Sequence, residues 1–577
     1  MRAVLRSAGM VARLVAVAGA SWCLGCGLWE PAPVDVQILA ITDFHGALEP
    51  GEGSNGRIAS RDVGGLEYLA THLARLRATN PHTIVVAAGD NIGASPLLSS
   101  MFHDEPTIEG LGEAGLEISA VGNHEFDEGW GELLRMQRGG CHPVDGCQDG
   151  TPFDGARFQY LAANVLVEPA VADTDSLRRN GWTPGPDGAR SLFPASAVRT
   201  IGGVKVGFIG LVTRDLPVLT KPESILGLTV RPEAEAANEA VAALVVAGVR
   251  AIVVLLHTSA ATEGDAYDGC ESVSGSGVDI ARSLSPEVDA VIAGHAHNAY
   301  NCVVDGKLVT AASSYGRLVT DLDFRIDPRT GEVVEKTARN TLVTRDVPPA
   351  DASTRLLARY RPLAEVRGRQ AVGTLAEPLS LEPAETGEVP LGDVVADAIL
   401  AAGQAGAGEP AVAALTNRGG LRAPLVGNDP AAPGEPRTVT YAQVFAVAPF
   451  GNRIQVRTVT GEVLLRWLEQ QFDNPAPGRD RMLQISGLTY AYRRSQPPGE
   501  RVDRASVRIG GRPLDPAARY RIVSNDFVWG GGDAYFAAQE STDLVDVGAD
   551  IDALIAYLGT TPRLGPPSRR RIARLPD

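Results

Sequence analysis

Nine histidines occur in this 577-residue chain, and five of them fall in short clusters with Asp, Asn and Gly. In order the clusters are Asp43-Phe44-His45-Gly46, Gly89-Asp90-Asn91, Gly122-Asn123-His124 with Asp127 three residues on, His257, and Gly294-His295-Ala296-His297. A set that mixes imidazole, carboxylate and amide ligands suits Zn, Mn or Fe better than Mg or Ca alone. A lone Gly-Asp or Asn-His is more often a turn. Five clusters in this order describe a metal centre. His72, His82, His103 and His142 stand outside them and read as structural hydrogen-bonding groups.

Each cluster follows an apolar run of β-like composition: residues 36–41, 83–88, 118–121, 251–256 and 288–293. Open α/β sheets carry their sites beyond the ends of their strands, so the runs are the elements that must position the clusters. Further runs lie at 160–163, 204–211 and 303–312, and residues 107–114 and 233–247 have the spacing of amphipathic helices. Alternation of this kind predicts a layered α/β domain over residues 34–327.

The ordered set resembles the calcineurin-like metallophosphoesterases, and within them the 5′-nucleotidases and UDP-sugar hydrolases. The resemblance implies two divalent metal ions, Zn, Mn or similar. Asp43, His45 and His297 match the ligands of one, Asn123, His257 and His295 those of the other, and Asp90 the bridge. His124 and Asp127 match the catalytic dyad. The bridge must be anionic to offset repulsion between two cations about 3.5–4 Å apart, which suits an aspartate and not a histidine. A carboxylate three residues from His124 favours its charged form, able to give a proton to a leaving alkoxide. Asp127 read alone is also a candidate helix N-cap.

The second half of the chain extends the resemblance. Residues 328–369 read as a connection whose stretch 353–367 is an inter-domain helix, kinked at Pro362. Residues 370–558 form a smaller α/β substrate-binding domain, and 559–577 a solvated tail. Leu391-Gly392-Asp393 resembles the opening of that domain's helix. The motif match assigns Phe450 and Phe527 to an aromatic sandwich for a nucleobase, Asp533 to the ribose hydroxyls, and Asn417 with Arg422 to base or phosphate. Stacking on the order of 1–3 kcal/mol per base supports such an assignment, and a guanidinium fork fits phosphate oxygens. Family members active on nucleotides commonly carry an arginine just before the helix-opening glycine, and residues 385–391 contain none.

Length points to two domains plus extras, and the net charge of −16 argues against a nucleic-acid polymer as partner. A small anionic substrate remains compatible, because bound cations reverse the local field. Arg2, Arg6 and Arg13 precede a short apolar stretch and then Cys23-Leu24-Gly25-Cys26, so residues 1–33 read as a signal segment and tether. Gly25-Cys26 resembles a lipoprotein processing site with Cys26 as the lipidated residue, although Cys23 and Leu24 depart from that pattern. Cys141, Cys147, Cys270 and Cys302 are consistent with export as disulfides; Cys141 and Cys147 bracket a turn-forming loop, and four cysteines permit three pairings.

These readings converge on an exported dinuclear-metal phosphohydrolase acting on nucleoside 5′-monophosphates. UDP-sugars and 2′,3′-cyclic nucleotides are alternative substrates. A thiosulfohydrolase-like enzyme and a non-catalytic surface binding protein are the competing classes.

Overall fold

The computed structural model describes residues 31–168, 190–264, 266–406, 408–430, 432, 434–473, 481–567 and 570–576. Residues 1–30 of the signal segment, Cys26 among them, and residues 169–189 lie outside the described residues. Two six-stranded sheets make up the first domain. One runs in the order Val333–Leu342, Leu318–Ile326, Val34–Ile41, Thr83–Ala87, Leu116–Ala120, Gln159–Leu161. The other runs Ala299–Val304, Lys307–Ala312, Ala290–Ala293, Ala251–His257, Val204–Val212, Ser196–Ile201.

Strand chemistry explains the layering. In Val34–Ile41 alternate residues Val36, Ile38 and Ala40 share a buried core with Val206, Phe208 and Leu255 of the second sheet. Leu39 and Ile41 face the other way, into a core with Leu66, Leu69 and Leu356 from helices. A strand buried on both faces reads as a continuous apolar run rather than an alternating one. Ala251–His257 behaves likewise, with Ile252, Val254 and Leu256 packed against Ala237 and Val241 of helix Glu233–Val246. The result is two facing sheets with helices outside both.

Three segments depart from the sequence reading. Residues 303–312 form two strands, because Asp305 and Gly306 adopt positive φ and turn the chain back on itself. Val333–Leu342, inside the stretch expected as a connection, pairs antiparallel with Leu318–Ile326 as an edge strand. Its outward face is polar, so no apolar pattern announces it. At the chain's end, Ile572–Arg574 pairs in parallel with Leu488–Tyr492, and Arg571 meets Asp397 at 2.7 Å. The expected solvated tail is therefore a strand over these residues, with Ile572 buried.

Helix Asp351–Gly368 joins the halves and continues through Pro362. Leu356, Leu357, Tyr360 and Ala364 bury in the first domain, while the Arg367 guanidinium lies 4.4 Å over the Tyr441 ring of the second. The second domain is built on a five-stranded sheet in the order Leu483–Ser486, Ala413–Asn417, Arg519–Asn525, Arg453–Thr460, Thr542–Ala549. Helices Pro390–Ala405, Gly461–Gln470 and Asp550–Thr560 cover it. Disulfides join Cys141 to Cys147 and Cys270 to Cys302. Among the described residues no helix is long and apolar enough to cross a membrane.

Candidate metal centre

All five clusters converge where the parallel strands of both sheets end. Ile41 pairs with Ala87 and Ala87 with Ser119, which sets Asp43, Asp90 and Asn123 side by side. On the facing sheet Leu256 pairs with Ala293, which brings His257 next to His295 and His297. The backbone bends sharply to achieve this. Asp43, His45, Asp90, His295 and His297 all have φ between 48° and 75°. Non-glycine residues rarely occupy that region, and strain of this kind is concentrated at functional sites.

The side chains form two trios, Asp43–His45–His297 and Asp90–His257–His295, each with its ligand atoms within 4.8 Å of one another. Asp90 Oδ2 lies 3.0 Å from His257 Nε2 and 3.6 Å from His45 Nε2, so it stands between the trios. Asn123 Oδ1 is 3.2 Å from His257 Nε2. His45 Nδ1 donates to the Gly93 carbonyl at 2.9 Å and His257 Nδ1 to the Ala88 carbonyl at 2.8 Å, which leaves both Nε2 atoms facing inward. Such outer partners fix the orientation of a ligating imidazole.

Electrostatics in this buried space favour cations. Burial holds His45 and His297 well below the ordinary imidazole range, and burial together with His257 takes His295 down to about 3. Burial pushes the Asp43 carboxyl up to about 7, and among the described residues its Oδ2 has no hydrogen-bond partner. The Nε2 atoms of His45 and His297 stand 3.0 Å apart, two basic nitrogens aimed at one point. Burial opposes charge on Asp90, but His257 and His124 outweigh it and keep the carboxylate ionised; burial likewise opposes charge on His257, which Asp90 pushes up to about 9. The buried carboxylate is thus balanced by an imidazole that keeps its proton, where a divalent ion would satisfy both. The donor set fits divalent metal ions.

Beside the trios His124 Nδ1 lies 2.9 Å from Asp127 Oδ2, and the His124 amide donates to Asp90 Oδ1 at 2.9 Å. Burial disfavours a charged His124, but Asp127 and Asp90 prevail and raise its affinity for a proton. Asp127 is not a helix N-cap: it follows the short 3-10 turn His124–Phe126 as its C-cap, and Gly129 precedes helix Trp130–Arg138.

The second domain reaches the same place. Arg422 comes within 3.5 Å of His45 Nε2, and the Phe450 ring stacks on His124 at 5.5 Å between centroids. Phe527 instead lies against Gly532, where a Cβ would meet the ring at 2.5 Å, and among the described residues it makes no ring contact with Phe450. Asn417 Nδ2 donates to Asp533 Oδ2 at 2.8 Å, and Asn525 Nδ2 donates to Asn417 Oδ1. Asp533 also has positive φ, 55°. Arg418 does not approach the centre; its guanidinium donates to the Leu381 carbonyl at 3.5 Å.

Glu125 escaped the sequence reading. It is buried, and its carboxylate accepts from the amides of Asp90, Asn91 and Gly122 at 2.6–2.9 Å, tying two ligand loops together. Its place between His124 and Asp127 was the available signal. Gly122 is obligatory for the same junction, since a Cβ there would meet Asp90 Oδ1 at 2.2 Å.

Comparison with known proteins agrees with this geometry. Residues 36–299 match the calcineurin-like phosphoesterase family and residues 371–540 the 5′-nucleotidase C-terminal domain. The chain is 31% identical over 500 residues to endonuclease YhcR of Bacillus subtilis, covering 86% of this chain and 37% of that protein. It is 32% identical over 552 residues to cell wall protein Lmo0130 of Listeria monocytogenes, covering 91% and 67%. A 5′-nucleotidase precursor from Thermus thermophilus superposes with a TM-score of 0.74 at 27% identity, covering 94% of this chain and all of that one. Two contiguous family matches on a shared two-domain fold leave one assignment: the chain belongs to the 5′-nucleotidase family of calcineurin-like phosphoesterases and is a metal-dependent phosphoric ester hydrolase.

Proposed function

We propose that the protein hydrolyses nucleoside 5′-monophosphates to nucleoside and phosphate at a centre of two divalent metal ions. Asp43, His45 and His297 hold one ion, Asn123, His257 and His295 the other, and Asp90 bridges them. When bound, the ions supply an activated water and neutralise charge on the transferring phosphoryl group. The chain's own residues do the rest. His124, oriented by Asp127 at Nδ1, turns Nε2 toward the phosphoryl oxygens and gives its proton to the departing 5′ oxygen. Arg422 pairs with phosphate oxygens through its planar fork. Phe450 and Phe527 hold the base, and Asp533 with Asn417 accepts and orients the ribose hydroxyls.

One observation carries this reading: Arg422 and Phe450 of the second domain reach His45 and His124 of the first. A nucleotide bound by the second domain therefore has its phosphate delivered to the metals, and remote binding aligns it for attack. Absence of an arginine in residues 385–391 leaves Arg422 as the phosphate contact from this domain, which keeps UDP-sugars and cyclic nucleotides in play as substrates. Lmo0130 is named a cell wall protein, and with the two disulfides this supports an extracytoplasmic location; Cys26 as the lipid-bearing residue rests on the Gly25-Cys26 motif alone. The Mn- or Zn-reconstituted protein should hydrolyse AMP faster than UDP-glucose, a 2′,3′-cyclic nucleotide or an aryl phosphate. A preference for any of the others overturns the substrate assignment.

A further inference from the structure

A second group of ligand-capable side chains lies beyond the dyad. His103, Glu128, Glu132 and His142 place ligand atoms within 4.8 Å of one another. They come from three segments: the turn after helix Leu97–Ser100, the loop and first turn of helix Trp130–Arg138, and the hairpin closed by Cys141–Cys147. The His103 and His142 rings stack at 3.8 Å with 12° between their planes. His103 Nδ1 lies 2.7 Å from Glu128 Oε2, and Nε2 lies 2.9 Å from Asp145 Oδ2. Asp145 Oδ2 is also 3.5 Å from His142 Nδ1.

Stacked at that separation the rings cannot both carry charge without repulsion, and His142 Nδ1 already accepts from the Asp145 amide at 3.1 Å, so at most one positive ring stands in conflict with three carboxylates. One divalent cation shared by both rings removes the conflict. Two nitrogens and two carboxylate oxygens form a set that suits Zn²⁺ better than Mg²⁺ or Ca²⁺. Asp145 stands where an outer carboxylate belongs, taking the His103 Nε2–H and leaving Nδ1 to the metal. Glu132 is also engaged by Arg135 at 2.6 Å, and a carboxylate has lone pairs for both partners. The side chains of His103 and His142 are 16% and 13% exposed, open enough for an ion to enter.

We propose that His103, Glu128, Glu132 and His142 form a third divalent-metal site, of Zn²⁺ type, that pins the disulfide hairpin to the loop carrying Asp127. His103, Glu128 and Glu132 line the same cleft as His124, Asp127 and Phe450, so the ion would brace one wall of the substrate entrance.

The site is tested by counting Zn²⁺ in the full chain after equilibration and gel filtration. Asp43→Asn with Asp90→Asn removes the two carboxylate ligands of the catalytic centre, and one Zn²⁺ per chain should remain. Adding His103→Gln with His142→Gln should remove that ion. Retention of it by the folded quadruple variant overturns the proposal, as does a double variant that never holds one. Should the histidine changes disturb folding, Asp145→Asn leaves all four ligands in place and should weaken Zn²⁺ about 10–100-fold in competition with a chelator. An unchanged affinity also overturns it. Because the count is made without the catalytic carboxylates, failure of the nucleotidase reading leaves this outcome unaffected, and the reverse holds.

Discussion

The two halves of the candidate site are built by opposite means. In the first domain Asp43, His45, Asp90, Asn123 and His257 are buried, held by backbone bends and by hydrogen bonds within 3.2 Å. In the second, Arg422, Phe450, Phe527 and Asp533 are half-buried and sit on turns and short helices beyond strand ends. Burial and hydrogen bonds within one domain hold the metal face, whereas the face proposed for the nucleotide is completed by apposition of the domains. Chemistry is thus preset and selectivity is assembled. Lids and domains that close on substrate divide labour in the same way.

Breaking the preset half should have the largest effect. Asp90→Asn is expected to lower turnover about 10³-fold or more on every substrate, since it removes charge from the centre of the catalytic field. The fold should survive, because the strands do not depend on that side chain. Near-normal steady-state turnover, or unchanged metal content, would remove the bridge from the scheme. Next comes His124→Ala, which should cost about 10²–10⁴-fold with AMP. The loss should be smaller with a nitrophenyl phosphate, whose leaving group needs no proton. Equal losses on both would make His124 a phosphate ligand rather than an acid.

The assembled half predicts a different signature. Phe527→Ala should weaken AMP hydrolysis by the worth of one stacked base, about 1–3 kcal/mol or 5- to 150-fold in kcat/KM, and spare an aryl phosphate. Phe450→Ala should not be so selective, because its ring rests on His124 and its removal also loosens the dyad. If both phenylalanines behave alike on both substrates, the division between the halves fails. The smallest effect on catalysis belongs to Cys26→Ser, which should leave turnover unchanged and move the protein from the membrane fraction to soluble material. Firm membrane retention of the variant, or failure of the parent to take up labelled fatty acid, would discard the anchor.

How far the sequence could be read followed the same division. Strands buried on both faces leave continuous apolar runs, and ligands at their ends are chemically distinctive, so Asp43 to His297 stand out in the bare chain. The left-handed backbone at five of those positions left little mark, because Asp and His, though enriched in that region among non-glycine residues, occupy it far less often than glycine does. Asp305-Gly306 was a hairpin signal inside a run read as one strand. Val333–Leu342 and Ile572–Arg574 were hidden because a short or one-sided strand draws its identity from the neighbour it joins. Phe450 and Phe527 are singled out by motif resemblance alone; nothing in the chain's periodicity shows that one ring lies on His124 and the other on Gly532. His103 and His142, read as inert, lie 39 residues apart, and only the folded hairpin stacks them.

The place of Val34–Ile41 in its sheet carries a consequence for how the molecule is made. This strand lies between Thr83–Ala87 and Leu318–Ile326, and Gln37 Nε2 donates to Asp321 Oδ1 across 284 positions of sequence. The first of the described β-strands in chain order is therefore a central one in its sheet, and its second neighbour arrives about half a chain later. Closing so long a loop is slow, and contacts of high sequence separation delay folding. Until that neighbour arrives the nascent first domain has an open sheet edge, a state that invites aggregation.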